Sequence, residues 1–260
     1  MTTSATYDAL MHAVHAAAEF AGAVALRHYG STLTVETKAD GSPVTVADRA
    51  TERALREWIQ QRFPGDAIQG EELGDLPGTT GRTWILDPID GTKSFIRAVP
   101  LWGTLVAVAE GERVLAGAAA FPAVGETVAA AIGCGAWCNG HRAHVSDITD
   151  ISRATVLISD DRKLGPPLFV GGWDALARRA AIARTWGDCF GYLLVATGRA
   201  EVMVDMVMNP WDAACFLPVI EEAGGVFSDL NGNITAFGGH SIATNAALAT
   251  EVRQCLAIQP

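Results

Sequence analysis

The folding options of this chain are narrowed most by nine residues, Trp84-Ile85-Leu86-Asp87-Pro88-Ile89-Asp90-Gly91-Thr92. Three apolar residues read as a buried strand, and the strand delivers two carboxylates, three positions apart, to its end. Buried aspartates are strongly disfavoured without a positive partner, so a fold that buries this strand must bring cations to its tip. Magnesium fits best, because a hard ion takes carboxylate, carbonyl and water oxygens and commonly shares a substrate phosphate. Pro88 fixes its own backbone angle and would turn the Ile89 carbonyl toward the same point. Gly91 and Thr92 would then open a helix whose first amides make an anion seat. The same residues also read as an ordinary turn, since Asp-Pro and Asp-Gly are common turn pairs, and this segment taken alone supports both readings.

Composition narrows the function. The 260 residues, 49% hydrophobic and 18% charged, describe an ordered chain with a substantial core, in one large or two modest domains. A formal charge of -10, a pI near 5.0 and scattered lysines and arginines argue against nucleic-acid binding, which demands a basic face. An acidic protein that binds phosphate needs metal ions to invert the local sign. The five cysteines, Cys134, Cys138, Cys189, Cys215 and Cys255, are odd in number and scattered, as expected of reduced thiols in the cytoplasm. Cys134 and Cys138 have no second pair, and His141 and His144 lie across an Asn139-Gly140 turn, so zinc is weakly indicated there. No signal segment is read at the N-terminus and no apolar run is read as long enough to cross a bilayer, so no membrane partner is expected.

Along the chain, residues 7–29 place apolar side chains at helical spacing up to Gly30, and a polar turn-rich loop follows at 38–43. A second helix begins after Thr45 and ends at Pro64-Gly65. Residues 104–109, 114–121 and 127–132 read as strands whose short connections imply antiparallel neighbours. Beyond a polar stretch at 144–153, the pattern alternates in the α/β manner. Strands are expected at 155–158 and 202–204, and helices at 173–183, 190–196, 212–223 and from Ala246, with Asn245 as the last helix's cap. The boundary divides the chain into halves at 1–146 and 147–260.

Several acids have two readings. Thr45-x-x-Asp48 matches a capping box, and an acid in a first helical turn beside a flexible loop can also face a site. Asp212, directly after Asn209-Pro210-Trp211, has the same double reading. Gly70-Glu71-Glu72 reads as a solvated loop or as one glutamate turned toward Asp87 and Asp90. Asp188 and Asp205 sit at a helix start and a strand end.

Taken in order, Gly-Glu-Glu, Asp-Pro-Ile-Asp-Gly-Thr and Trp-Asp-x-Ala-Ala resemble the inositol monophosphatase family of magnesium-dependent phosphomonoesterases along nearly the whole chain. The resemblance implies that Glu71, Asp87, the Ile89 carbonyl, Asp90 and Asp212 hold two or three magnesium ions. It implies that Asp48 and Thr92 orient the attacking water, that Glu71 belongs to the catalytic set, and that Gly91 and Thr92 give amides to the phosphate. In-line attack by metal-activated water without a phosphoenzyme is the mechanism implied. Lys93-Ser94-Phe95-Ile96-Arg97 and the 184–192 segment resemble the histidinol-phosphate phosphatase branch. For that substrate, Asp188 and Asp205 would pair with the amine and imidazole, and Trp186 would add an aromatic wall. The alternatives are an inositol phosphate or another small ester as substrate, and a non-catalytic scaffold. The resemblance further implies an α+β fold of α-β-α-β-α layers, a cleft between the halves and a homodimer.

Overall fold

A computed structural model describes residues 3–39, 41–161 and 167–256. The first helix, α1 (Thr3–Leu26), has a face of small residues, and Val14, Ala17, Ala18, Ala21 and Ala25 on it are wholly buried. Contrary to the expectation from the sequence, its Thr6–Leu26 span is long and apolar enough to cross a membrane, with a mean hydropathy of 1.4. The buried face accounts for that apolarity, because it lies on a β-sheet. A short two-stranded sheet, β1 (Val35–Thr37) with β2 (Pro43–Thr45), frames the polar loop and feeds α2 (Val46–Arg62). Thr45 caps α2: its hydroxyl accepts from the Ala47 amide, while the Asp48 carboxylate accepts from the Thr45 amide at 2.8 Å.

The next strands are β3 (Ala67–Gly70), β4 (Gly74–Leu76) and β5 (Arg82–Asp90), after which comes the one-turn helix α3 (Thr92–Phe95). The meander β6 (Gly103–Glu110), β7 (Arg113–Phe121), β8 (Glu126–Ala131), β9 (Gly135–Cys138) and β10 (His141–Arg142) completes an eight-stranded sheet in the order β10-β9-β8-β7-β6-β5-β3-β4. All its pairs are antiparallel except β3 with β5. The β9–β10 turn is the Asn139-Gly140 pair, both with positive φ, as the sequence predicts.

The remaining elements are β11 (Thr155–Ile158), α4 (Pro167–Arg179), β12 (Ile182–Arg184), α5 (Cys189–Ala196), β13 (Val202–Asp205), α6 (Pro210–Ala213), α7 (Phe216–Glu222), β14 (Gly225–Ser228), β15 (Ser241–Asn245) and α8 (Ala249–Leu256). They build a five-stranded mixed sheet in the order β12-β11-β13-β15-β14.

Period-2 alternation assigns the layers. Trp84 and Leu86 pack with α1 and α2, whereas Ile85 between them packs with α5, α6 and α7. In β13, Met203 faces those central helices, and Val202 and Val204 face the outer pair, α4 and α8. The result is the expected α-β-α-β-α sandwich. Strands of the first sheet come from 67–142 and those of the second from 155–245, and the central helices join both into one core.

Three helix boundaries differ from expectation. The helix expected at 173–183 is α4, which ends at Arg179, because Ile182–Arg184 pairs with β11 as an edge strand. The helix expected at 212–223 is interrupted at Ala214-Cys215, one turn before Pro218, which has no amide to give the Ala214 carbonyl. The last helix starts at Ala249 because Asn245 Oδ1 first takes the Leu248 amide, at 3.0 Å, in a turn.

Candidate active site

The site begins where β5 stops being regular. Residues three apart on a strand point to opposite faces, so Asp87 and Asp90 would be separated by the sheet. The register with β6 instead shifts between them, and this bulge turns both acids the same way. Pro88 cannot donate to the ladder, its carbonyl accepts from Thr104 Oγ1 at 2.8 Å, and Asp87 Oδ1 takes the Ile89 amide at 2.9 Å. Gly91 follows at φ 80, and a Cβ there would stand 2.8 Å from the Leu101 carbonyl oxygen, so only glycine can make the step into α3.

Asp212 arrives from the far side of the central layer. Asn209 and Asp212 form a reciprocal capping box on α6, with the Asn209 amide donating to Asp212 Oδ2 at 2.7 Å. Gly117 on β7 lets this helix pair sit directly on the sheet, since a Cβ there would lie 2.3 Å from the Cys215 carbonyl oxygen. Asp87, Asp90 and Asp212 thereby offer carboxylate oxygens within 4.8 Å of one another, the one cluster of this kind among the described residues. The weakly indicated zinc set, Cys134, Cys138, His141 and His144, does not form such a cluster among the described residues.

The electrostatic consequence is strain that a cation would relieve. Burial, then the charges of Glu71, Asp90 and Asp212, push the Asp87 carboxyl well above the ordinary range. Burial and the charges of Asp188 and Asp212 do the same to Asp90, although the Cys189 amide donates to it. Burial lifts Asp212 to about 6 in spite of its bonds from Asn209. Glu71 lies beside this cluster and is also raised by burial, against the pull of Lys38. Lys38 Nζ donates to Glu71 at 2.7 Å and to Glu72 at 2.5 Å. Burial opposes its ammonium, yet the two glutamates hold its pKa above the usual value.

Asp48 divides its oxygens between two duties. Oδ2 takes the Thr45 amide and hydroxyl, and Oδ1 faces the Thr92 hydroxyl at 3.4 Å, which also reaches the Ile89 carbonyl at 3.0 Å. Burial raises the Asp48 pKa, and the Thr45 bonds work against the rise. One carboxylate thus caps α2 and at the same time faces the Thr92 hydroxyl.

One turn further along α2, Glu52 braces the Gly70-Glu71-Glu72 loop by accepting the Glu72 amide at 2.7 Å and pairing with Arg56. Gly70 makes room for it, as a Cβ there would be 2.1 Å from Glu52 Oε1. Sequence reasoning missed Glu52 and the part played by Lys38. The available signal was the spacing: Asp48 and Glu52 are i and i+4 on the buried face of one helix.

The second wall comes from the five-stranded sheet. Asp188 has a positive φ of 50 with ψ at -154, a strained conformation for a residue with a side chain, and its amide donates to Ser159 Oγ at 2.7 Å. Burial raises its carboxyl. Asp205 is buried at the end of β13 and accepts from the Tyr192 hydroxyl at 2.9 Å. Burial lifts its pKa to about 8, against hydrogen bonds from Ser159 and Tyr192. Ser159 carries no sequence signal, and Tyr192 was read only as part of the 184–192 segment, without a role of its own. Trp186, expected as an aromatic wall, is 43% exposed and is not among the residues lining the cleft, because Gly187 packs so closely on Ser159 that the chain turns inward only at Asp188.

The two walls enclose a cleft of about 400 Å³, the size of a small-molecule site. Glu71, Asp87, Ile89, Asp90, Gly91, Thr92, Asp188, Asp205 and Asp212 line it, and Asp48 lies beneath. Asp87, Asp90 and Asp212 form an all-oxygen donor set suited to a hard cation.

The profile of the inositol monophosphatase family matches residues 7–257. A histidinol-phosphatase of Chlorobaculum parvum is 43% identical over 226 residues, 86% of this chain and 87% of that protein. A histidinol-phosphatase of Mycobacterium tuberculosis is 36% identical over 256 residues, 95% of this chain and 97% of its own. The solved inositol monophosphatase of Zymomonas mobilis superposes with a TM-score of 0.84 at 28% identity, covering 96% of this chain and 98% of that one.

Proposed function

Because the chain belongs to the inositol monophosphatase family, we propose that it is a magnesium-dependent phosphomonoesterase that hydrolyses L-histidinol phosphate to L-histidinol and phosphate. The observation that carries the chemistry is the meeting of Asp87, Asp90 and Asp212 within 4.8 Å, from segments more than a hundred residues apart. The substrate reading is supported by the similarity to two histidinol-phosphatases over most of their lengths.

Asp87, Asp90 and Asp212, with Glu71 and the Ile89 carbonyl, would hold two or three magnesium ions. When bound, magnesium offsets the charge of the phosphate and lowers the pKa of coordinated water from its bulk value of about 15.7. The protein's own groups supply the geometry. Asp48 Oδ1 and the Thr92 hydroxyl, 3.4 Å apart, hold the attacking water, and Asp48 takes its proton. The opening amides of α3, at Thr92 and Lys93, have no partner within the helix and would meet the phosphate oxygens, with the Gly91 amide beside them. Attack opposite the ester oxygen then breaks the P–O bond without a phosphoenzyme, and the departing alkoxide takes a proton from solvent to leave as the alcohol. On the opposite wall, Asp188 and Asp205 receive the ammonium and imidazole of the alcohol half.

We also assign the protein to the cytoplasm, since all five cysteines are free thiols, and propose a homodimer, which light scattering would report as twice 27.3 kDa. The decisive assay compares phosphate release from L-histidinol phosphate and inositol 1-phosphate. A preference of about tenfold or more for the first, abolished by chelation of magnesium, is expected. Preference for inositol 1-phosphate would move the substrate within the family, and no release from either would return the scaffold reading.

A further inference from the structure

Asp205 closes β13, and its partner across the antiparallel ladder is Ser241, the first residue of β15. Alternation places both on the face turned toward α5, with Met203 and Ala243. Tyr192 of α5 stands over this pair. Its ring is stacked on Phe216, with centroids 4.7 Å apart at 19°, and tilted against Phe227 at 6.0 Å. The ring is thereby fixed, and the hydroxyl reaches Asp205 Oδ2 at 2.9 Å and, more closely still, Ser241 Oγ.

A phenol carries one proton, so once it donates to the carboxylate, Ser241 must be the donor to the phenol oxygen. Packing alone would be satisfied by a third phenylalanine. Burying a hydroxyl among such rings is unfavourable unless its hydrogen bonds matter. On its other side Asp205 is bonded by Ser159, which also accepts the Asp188 amide. Asp205, Tyr192 and Ser159 all line the cleft, and hydroxyl donors favour the ionised form of a carboxyl.

We propose that Tyr192 is a positioning residue for substrate selectivity: through the chain Ser241–Tyr192–Asp205 it aims the Asp205 carboxylate at an ammonium group on the alcohol half of the phosphate ester. This rests on the histidinol phosphate reading and deepens it. Tyr192 touches Asp205 rather than the bond that breaks, so its removal weakens recognition more than turnover.

The test compares L-histidinol phosphate with its desamino analogue, 3-(imidazol-4-yl)propyl phosphate, on the wild type, Tyr192→Phe and Ser241→Ala. Both substrates are measured on one preparation of each magnesium-loaded enzyme, so a loss through misfolding cancels in their ratio. Tyr192→Phe is expected to raise KM for L-histidinol phosphate about tenfold, the lower range for a hydrogen bond to a charged group. Its kcat should fall by less than about threefold, and the preference for the amine-bearing substrate should drop by about the same tenfold as KM rises. Ser241→Ala should act in the same direction by about threefold. A wild type indifferent to the amine would sink the histidinol reading and this proposal together. A selective wild type whose preference survives in Tyr192→Phe would overturn the proposal alone.

Discussion

The two walls of the cleft treat their acids differently. On the wall built from β5 and α6, Asp87, Asp90 and Asp212 face one another; burial raises all three, and neighbouring carboxylates raise Asp87 and Asp90 further. On the wall built from β13 and α5, Asp205 is held by the hydroxyls of Tyr192 and Ser159. The first arrangement calls for cations and is indifferent to what the phosphate is attached to. The second is finished by protein hydrogen bonds and can discriminate. General chemistry and selectivity would therefore be divided between the two walls, although the central helices pack both sheets into one core.

The largest separation of the two walls is expected from Asp90→Asn. It removes a ligand charge and should lower phosphate release by about a thousandfold or more at saturating magnesium, whatever the ester. Full magnesium-dependent activity in this variant would mean that the first wall has been misassigned. Asp48→Asn should reduce kcat by about a hundredfold, as loss of a proton acceptor does. Calorimetric titration should find its magnesium affinity nearly unchanged, because Asp48 lies beneath the cluster rather than in it.

Gly117→Ala probes how the first wall receives Asp212. A methyl group 2.3 Å from the Cys215 carbonyl oxygen forces the α6–α7 junction off the sheet. A loss of about 1–3 kcal/mol in stability is expected from denaturant unfolding, together with weaker magnesium binding. If only stability changed, the position of Asp212 would not depend on this contact.

A further test concerns pH. Asp212 and Asp205 have folded-state values of about 6 and about 8, above the ordinary range near ~4. Their stabilising contribution is complete below the ordinary value and is lost as pH rises through about 6 for Asp212 and about 8 for Asp205. The melting temperature of the metal-free protein should therefore fall across this interval. Magnesium should cancel the share owed to Asp212 and leave that of Asp205, a difference that scanning calorimetry at two pH values would read.

The first wall was legible in the sequence and the second was largely not. An apolar strand carrying two aspartates has few uses, and its bulge follows from Pro88. Asp48 and Asp212 each looked like helix caps and are caps, with the same carboxylates turned to the site. The layers were expected from the family resemblance alone, and the structure shows how Trp84, Ile85 and Leu86 serve them by alternating between two cores. Neutral hydroxyls such as Ser159, Tyr192 and Ser241 have no pattern of their own and gain meaning only when strands from distant segments pair. Trp186 misled for the same reason, as its neighbourhood in sequence is not its neighbourhood in space. Ile182 and Ala183 read as helix until β11 offered them an edge, and α1 passed for a soluble run while having the hydropathy of a membrane span.

The central claim, that acids from both halves of the chain share divalent cations, is tested most directly by anomalous diffraction from crystals soaked in manganese, a scattering substitute for magnesium. A strong peak is expected between the carboxylates of Asp87, Asp90 and Asp212. Active crystals with no peak at that point, or with manganese bound only elsewhere, would contradict it.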